Sequence, residues 1–298
     1  MGLAYEEWLP AAAALRGIVT AYWHVCGDPS DVPAPAVLPD GHVELVFNLG
    51  DAVALDGPAY TGPQPDRAVV GLLSQTLQMK YLGAVETFGV RFHPARGPSF
   101  FGLTATALAE RLFTLREVSA PLDATIEYLL AGDWRAQSGK SRAALDGVLA
   151  DQLARALPAD MDVVLMVDRL MGAGPVPSVE EIAEDLGLSP RQVQRRFVTA
   201  VGIPPKRFVR VIRFARLWQM ASMSPPEAWA SLAVDYGFAD QAHMVREFRS
   251  FGAEPPAHFF KPEWYGATEL SRASGPAKGQ RRPKNVRSVQ YRRGQPRL

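Results

Sequence analysis

Hydrophobic and polar positions alternate over short stretches in the first third of the chain. Across residues 42–49 every second position is apolar, and the polar Glu44 and Asn48 stand between them. This is the period of a strand with one buried face. Further short strands are predicted at 15–25, 69–73, 76–82 and 87–92, with chain breaks at 50–51 and 56–58. Short strands at regular spacing predict that residues 1–95 form a mainly β domain, as a barrel or a sandwich.

The hydrophobic period becomes helical beyond Phe100. Helices are predicted over 122–130 and 141–157, and the second has a stripe of apolar side chains. The stripe consists of Leu145, Val148, Leu149, Leu153 and Leu157. Such a stripe predicts core packing or, as the alternative, a contact in a homodimer. Asp160 is a candidate cap for a further helix that ends at Met171.

A set of positions between Ser178 and Phe260 occurs twice. Val179, Ile182, Ala183, Leu186 and Gly187 recur as Trp229, Leu232, Ala233, Tyr236 and Gly237, each 50 positions later. Val193, Arg195, Phe197, Pro205 and Phe208 recur as Met244, Arg246, Phe248, Pro256 and Phe259, each 51 positions later. The pattern predicts two copies of one supersecondary unit, with one extra residue in the second turn.

Each copy has the parts of a helix-turn-helix. Ser178 and Glu181 form a capping box, Gly187 allows a tight turn, and Ser189 caps the next helix. The second helix of such a unit lies in the major groove of DNA. With Val193 facing inward, its outer side is polar.

The outward side chains of the two second helices are candidates for reading bases. Arginine matches guanine with two hydrogen bonds, and glutamine matches adenine in the same way. In the first copy the candidates are Arg191, Gln192, Gln194 and Arg195, and in the second they are Gln241, His243 and Arg246. Ala242 offers only a methyl group, so the second copy is expected to contribute less specificity.

The segment 191–216 contains eight basic residues and no acidic ones. A solvated helix face normally mixes both signs, whereas a surface that faces phosphates excludes carboxylates. A long helix over 206–221 is predicted to join the two units. The phosphate-contact candidates are Arg196, Lys206, Arg207, Arg210, Arg213 and Arg216.

These residues resemble the AraC/XylS family of bacterial transcription regulators. The resemblance covers 161–262 and rests on both copies of the unit, including 182–189, 195–208 and 233–240. It implies two recognition helices in successive major grooves of double-stranded promoter DNA, with RNA polymerase as a partner. One departure is Gly252, which stands one position before the family's glycine. Residues 38–50 and 89–92 are similar to the N-terminal domain of a subset of these regulators.

Charge is distributed unevenly along the chain. Residues 1–160 hold 18 acidic and 11 basic side chains, whereas residues 263–298 hold two acidic and nine basic ones. The tail is predicted to be disordered and either attracts phosphates or only aids solubility. The predicted organisation is α+β: a β-rich sensor or dimerisation domain with connecting helices (1–158), an all-α DNA-binding domain (159–262) and the basic tail.

No residue pattern predicts catalysis or a cofactor. The single Cys26 and the spacing of the five histidines disfavour a metal site, and nucleotide-binding loops are missing. An alkylation-repair enzyme with this type of DNA-binding domain is therefore disfavoured. Glu44, Asn48 and Arg91 are candidates for a small-molecule effector pocket, with a domain that binds only a protein partner as the alternative. No signal pattern or membrane-length apolar run occurs, which predicts a cytoplasmic protein that does not contact membranes.

Overall fold

The structure is a computed structural model that describes residues 3–29, 36–172, 176–221 and 229–252. It confirms the α+β prediction: two antiparallel sheets form the N-terminal part, and helices form the rest. The predicted tail, 263–298, lies outside the described residues. The domain boundaries at 158 and 262 stay predictions.

The larger sheet has six strands in the order β1-β2-β9-β4-β7-β10, and the smaller has four in the order β3-β8-β5-β6. In the larger sheet the strands are β1 (Ala4–Trp8), β2 (Val19–Gly27), β4 (Val43–Asn48), β7 (Arg67–Val70), β9 (Val85–Phe92) and β10 (Leu112–Thr114). In the smaller sheet they are β3 (Ala36–Val37), β5 (Val53–Gly57), β6 (Tyr60–Pro63) and β8 (Leu77–Tyr81).

The two faces of the larger sheet have different side chains. On β9, Phe88, Val90 and Phe92 are fully buried in the main core. The alternate positions place Gly89 and Arg91 on the opposite face, as the period of two requires. A Cβ atom at Gly89 would collide with the indole of Trp23 on the neighbouring β2, so this close approach requires glycine.

The smaller sheet contains, near the predicted chain breaks, two strands that were not predicted from the sequence. Residues 53–57 and 60–63 form the β5–β6 hairpin, in which Gly57 pairs with Tyr60 across a two-residue loop. Glycine and proline indicate a sharp change of direction, which a hairpin turn and the end of a structured run share. β1, β3 and β10 were also not predicted, because they are short and lack a clear alternation.

Helices cover one face of the larger sheet and lead into the C-terminal part. They are α1 (Gly97–Phe100), α2 (Ala105–Leu108), α3 (Leu115–Val118), α4 (Ala120–Ala131), α5 (Gly139–Leu153) and α6 (Met161–Met171). Leu145 and Leu149 of the predicted stripe are buried in the main core. Asp146 beside them accepts hydrogen bonds from Tyr22 Oη (2.5 Å) and from the Ala12 N–H (2.7 Å). Leu145 and Leu149 therefore pack inside the chain, whereas Leu157 at the end of the stripe is exposed, and the alternative of a homodimer contact at this stripe stays a prediction.

The C-terminal part consists of α7 (Val179–Asp185), α8 (Pro190–Val201), α9 (Pro205–Ala221), α10 (Trp229–Asp235) and α11 (Gln241–Ser250). We call α7 and α8 the first unit, and α10 and α11 the second unit. The first unit shares the main hydrophobic core with the sheet, since Phe197 belongs to the same buried cluster as Phe92. The second unit has a separate core around Phe214 and Phe248. α9 contributes side chains to both cores.

Candidate nucleic-acid interface

The same backbone hydrogen bond closes the turn of each unit, and the second turn is one residue longer, as the sequence repeat predicts: residues 186–189 separate α7 from α8, and residues 236–240 separate α10 from α11. In the first, the Leu188 N–H donates to Ala183 O at 2.9 Å, and in the second the Phe238 N–H donates to Ala233 O at 2.8 Å. The preceding glycines have φ of 66° and 80°, in the left-handed region that other residues avoid. The doubled helix-turn-helix predicted from the sequence repeat is confirmed.

Side-chain caps determine where the helices begin. Ser178 and Glu181 form the predicted capping box of α7, and Ser189 and Gln192 form a second box at α8. At α11, Asp240 accepts a hydrogen bond from the His243 N–H at 2.6 Å. Because caps satisfy the free N–H groups of the first turn, they start each helix at a defined residue.

A left-handed glycine follows each second helix. Gly202 after α8 has φ of 91°, and Gly252 after α11 has φ of 70°. Gly252 therefore keeps the family's helix ending although it stands one position early, and α11 is two residues shorter than α8, with 10 against 12 residues. The two ends have different surroundings. A Cβ at Gly202 would collide with Ala105 O of α2, whereas at Gly252 the nearest atoms lie 3.9 Å away.

The outer face of α8 presents three base-reading candidates to solvent. Arg191, Gln194 and Arg195 are exposed, and neither arginine forms an ion pair with a residue that the structure describes. Gln192 is exposed too, but its Oε1 accepts hydrogen bonds from the Ser189 N–H (2.9 Å) and Oγ (2.7 Å). Gln192 keeps only its amide N–H groups for another partner while the capping box is formed.

The outer face of α11 presents fewer such groups. Arg246 is exposed and has no ion pair within the described part of the chain. His243 is half-buried: its Nδ1 accepts a hydrogen bond from the Ala239 N–H at 3.2 Å, and its ring packs edge-on against Phe238. The side chain of Gln241 lies outside the described residues. The described face of the second unit is thus poorer in free polar groups.

Three of the phosphate-contact candidates on α9 form exposed ion pairs. Lys206 lies 3.4 Å from Glu180 of α7, and Arg210 lies 2.9 Å from Glu247 of α11. Arg207 lies 3.3 Å from Glu110 in the N-terminal part. The basic segment contains no acid, yet folding brings acids from other elements next to it. Sequence reasoning missed these partners because they are 26 to 97 positions away.

Arg196 and Arg216 each donate several hydrogen bonds to groups at the two ends of α6, unlike the arginines in exposed ion pairs. The Arg196 guanidinium donates to Asp160 at 2.7 and 2.5 Å and to Asp162 at 2.7 Å. These hydrogen bonds raise the pKa of Arg196 and lower the pKa of Asp160. Arg216 donates to the carbonyls of Leu170 (2.8 Å) and Gly172, and so closes the end of α6.

Arg213 is the remaining phosphate-contact candidate. It is half-buried, its guanidinium lies beside the turn glycine Gly237, and it forms no ion pair with a described residue. Arg249, which the sequence reasoning did not single out, is exposed in the last turn of α11. Its exposure could have been expected from its spacing of three after Arg246.

Two of the three effector-pocket candidates meet on the face of the larger sheet that is opposite the main core. Glu44 and Arg91 are paired across β4 and β9, with Arg91 Nε 3.0 Å from Glu44 Oε1. Glu7 lies 3.4 Å from the same guanidinium, and the Trp23 indole N–H donates to Glu44 at 3.1 Å. Asn48 is four positions along β4, about 13 Å away at the rise of a strand, and it donates to Asp51 O instead. The structure does not bring Asn48 to this cluster.

Burial and charge act in opposite directions on the cluster. Burial raises the pKa of Glu44 above its usual range, although Arg91 opposes this. Burial also disfavours the charged form of Arg91, but Glu44 and Asp40 outweigh that effect and raise its pKa. Arg91 therefore stays charged among three carboxylates.

Within the described ranges, no group of three or more His, Cys, Asp or Glu side chains has the geometry to hold a metal ion. None of the helices in these ranges is both long enough and apolar enough to cross a membrane.

Comparisons with known proteins give matches for both parts of the chain. Residues 182–262 match the family model of a helix-turn-helix domain, and residues 7–114 match a domain of unknown function (DUF6597). Among solved structures, the chain is similar to ToxT from Vibrio cholerae with an unsaturated fatty acid bound. The identity is 11% and the TM-score 0.46, over 82% of this chain and 96% of that one.

Two other solved structures are similar at comparable identity. Apo ToxT from Vibrio cholerae strain SCE256 has 12% identity and a TM-score of 0.44, over 80% of this chain and 97% of that one. The AraC-like transcriptional activator CuxR has 12% identity and a TM-score of 0.26, over 71% and 86%. The helix-turn-helix match covers the doubled unit whose turns and caps are described above. The chain is thus a DNA-binding transcription regulator that combines a C-terminal helix-turn-helix domain of the AraC type with an N-terminal DUF6597 domain.

Proposed function

We propose that α8 and α11 enter successive major grooves of promoter DNA, with α8 as the more specific reader. The observation that carries this proposal is the outer face of α8, where Arg191, Gln194 and Arg195 are exposed and uncommitted to other described groups. Their chemistry matches guanine and adenine edges. The backbone hydrogen bond that closes the turn in both units supports the same mode of entry for α11.

Arg246 is the main base reader of the second unit in this proposal. His243 is used in the turn, where it accepts a hydrogen bond and packs on Phe238. Its role is to orient the helix entry, and a base contact would be limited to its other ring nitrogen. Among the side chains that the structure describes, one strong reader on α11 against three on α8 makes the second helix a supporting contact.

The phosphate contacts are proposed to divide into exchangeable and structural groups. Lys206, Arg207 and Arg210 form exposed ion pairs, which contribute little in water and can be replaced by phosphates. Arg213 forms no ion pair with a described residue, so a phosphate would not have to displace a carboxylate from it. Arg196 instead holds α8 against the start of α6, and its positive charge is already matched by two carboxylates.

The N-terminal domain is proposed to bind a small-molecule effector next to Arg91 and Glu44. The support is the buried guanidinium of Arg91, which is surrounded by the carboxylates of Glu7, Glu44 and Asp40. The excess of carboxylates favours a ligand with hydrogen-bond donors or a positive charge over an anion. A thermal-shift screen of the full chain against amine- and acid-containing metabolites tests this. Stabilisation by acids alone, or equal stabilisation of a Glu44→Gln variant, would contradict it.

Further partners follow from the type of regulator. We propose that the chain contacts RNA polymerase at promoters, acts in the cytoplasm where the promoter DNA is, and has no enzymatic activity. A homodimer is proposed on the same basis. Analytical ultracentrifugation with and without promoter DNA checks the last point, and a monomer under both conditions would contradict it.

The DNA-reading proposal is tested by replacing Arg195, a base-reading candidate on α8, with alanine. Duplexes selected from a random pool by the full chain define the preferred site. Arg195→Ala is expected to weaken binding to that site by about 1–3 kcal/mol and to relax base preference at one position. Thr199→Ala, also exposed on α8, is the control and should leave the base preference unchanged. Equal binding by wild type and Arg195→Ala would show that the assigned face is wrong.

A further inference from the structure

The first and second units are attached to different sheets of the N-terminal domain. The first unit packs through α1, α2 and α6 onto the larger sheet, with which it shares one hydrophobic core. A Cβ at Gly202 would collide with Ala105 O, which shows how closely the end of α8 approaches α2. The position of α8 is thus determined by the larger sheet.

The second unit touches the smaller sheet at one end of the β3–β8 pair. The Thr76 N–H, one residue before β8, donates to Phe251 O at 2.7 Å. Phe251 follows α11 and is buried in the core of the second unit. Leu38, one residue after β3, packs its side chain against the same core.

These two residues lie side by side, because Val37 of β3 pairs with Leu77 of β8. Leu38 and Thr76 therefore extend the pair by one position at the same end. One supplies an apolar side chain and the other a backbone donor. We call this pair of contacts the clamp.

The hydrogen bond from the Thr76 N–H to Phe251 O fixes the position of the clamp along the chain. Phe251 O would otherwise be one of the free carbonyls at the end of a helix. Thr76 is 4% exposed, so its N–H has no access to bulk water as a substitute partner. Breaking the contact would leave a buried donor without its acceptor. The end of α11 is thereby held at a defined point of the smaller sheet.

The segment that follows Leu38 touches α9 as well. A Cβ at Gly41 would stand 2.7 Å from Ile212 Cδ1 and 3.3 Å from Phe208, so this glycine lies directly on the helix that joins the units. Asp40 beside it lies 3.9 Å from the Arg91 guanidinium of the larger sheet. The segment 38–41 thus links the smaller sheet, the larger sheet and α9.

We propose that Leu38 and Thr76 are positioning residues that set the separation between the two recognition helices, and hence the half-site spacing that the protein accepts on DNA. This inference rests on the proposed function, in which both helices enter the same duplex. If α11 were held only through α9, it would swing relative to α8 and tolerate several spacings. The clamp adds a second attachment point and removes that freedom.

The test compares spacing preference, since a merely destabilising change would weaken all sites alike. The selected duplex is prepared with its natural spacing and with one base pair inserted between the half-sites. For wild type, the insertion is expected to reduce affinity about 100-fold, because the second contact is lost. For Leu38→Ala and Thr76→Pro the reduction is expected to fall below about tenfold.

Thr76→Ala is the matched control, because it keeps the N–H donor and removes only a hydroxyl that has no hydrogen-bond partner among the described residues. It should retain the wild-type spacing preference. Leu38→Ala tests the clamp without changing the backbone, so the test still stands if Thr76→Pro does not fold. Amide exchange of the DNA-free full chain provides a second measurement. In both clamp variants, exchange over 241–252 should accelerate while exchange over 190–201 stays as in wild type.

The outcomes separate the clamp from the function on which it rests. Unchanged spacing preference in folded Leu38→Ala and Thr76→Pro would overturn the clamp and leave the two-groove function intact. A wild-type selection that yields only one half-site would overturn the two-groove function, and the clamp with it. Reduced spacing preference in both variants, with Thr76→Ala unchanged, supports the proposal.

Discussion

The first and second units are copies in sequence and in the hydrogen bond that closes their turn, but they pack against different parts of the protein. Phe197 of the first and Phe248 of the second are equivalent positions 51 residues apart, and both are fully buried. Phe197 lies in a core that extends to the larger sheet, whereas Phe248 packs within a local aromatic cluster with Phe214 and Trp218. The repeat therefore conserves how a unit folds and leaves open what the unit is attached to.

The largest expected effect comes from truncating these two phenylalanines. Removal of a buried Phe side chain costs about 3–5 kcal/mol. Phe197→Ala should increase amide exchange in β9 as well as in α8, because the core is shared. Phe248→Ala should increase exchange in α10 and α11 and leave β9 protected. Equal loss of protection in β9 for both variants would remove the distinction between a shared and a local core.

The glycines after α8 and α11 provide a matched pair of smaller effect. Both have positive φ, so alanine is strained at either position by about 1–2 kcal/mol. Gly202→Ala adds a collision with Ala105, and overpacking of this kind costs about 1–3 kcal/mol more. Urea unfolding should show Gly202→Ala to be the less stable variant. Equal midpoints for Gly202→Ala and Gly252→Ala would mean that α2 yields to the new side chain.

His93 makes the attachment of the first unit dependent on pH. Burial lowers the pKa of His93 to about 4, although Asp168 of α6, 3.3 Å away, opposes this. The unfolded chain, with an ordinary pKa near 6.5, binds the proton more readily. Stability is therefore expected to fall between pH 6.5 and 4, by up to about 3 kcal/mol.

His93→Asn tests this pH dependence without a titrating group. An asparagine Oδ1 can replace His93 Nδ1 as the acceptor of the Ala95 N–H. The variant should lose less stability than wild type between pH 6.5 and 4 in urea titrations. Parallel curves for the two proteins would show that His93 does not contribute.

The elements that sequence could predict are those with strong local signals. The strands β4 and β9, the capping box of α7, and the caps at Ser189 and Asp240 follow from period and from residue type within a few positions, whereas the use of Gln192 in a second capping box was not predicted. The short β3 and the β5–β6 hairpin could not be predicted from local signals, because their pairing is decided by partners elsewhere in the sheet.

The candidate interface shows the same division. The exposure of Arg191 and Arg195 follows from their spacing relative to the buried Val193 and Phe197. The pairing of Arg196 with Asp160 does not, since nothing within one helix indicates which distant acid will approach it. Long-range charge partners are a property of the packed fold, and they decide which arginines remain available to DNA.

The shared core of the first unit also matters for protein engineering. A chimera that replaces everything after residue 158 would cut through packing between Gly202 and Ala105 and between Phe197 and the sheet-side core. The incoming first unit would have to fit a surface that it did not evolve with. A graft limited to the outward side chains of α8, or to the second unit with its local core, keeps that surface intact and is the safer way to redirect this regulator to a new promoter.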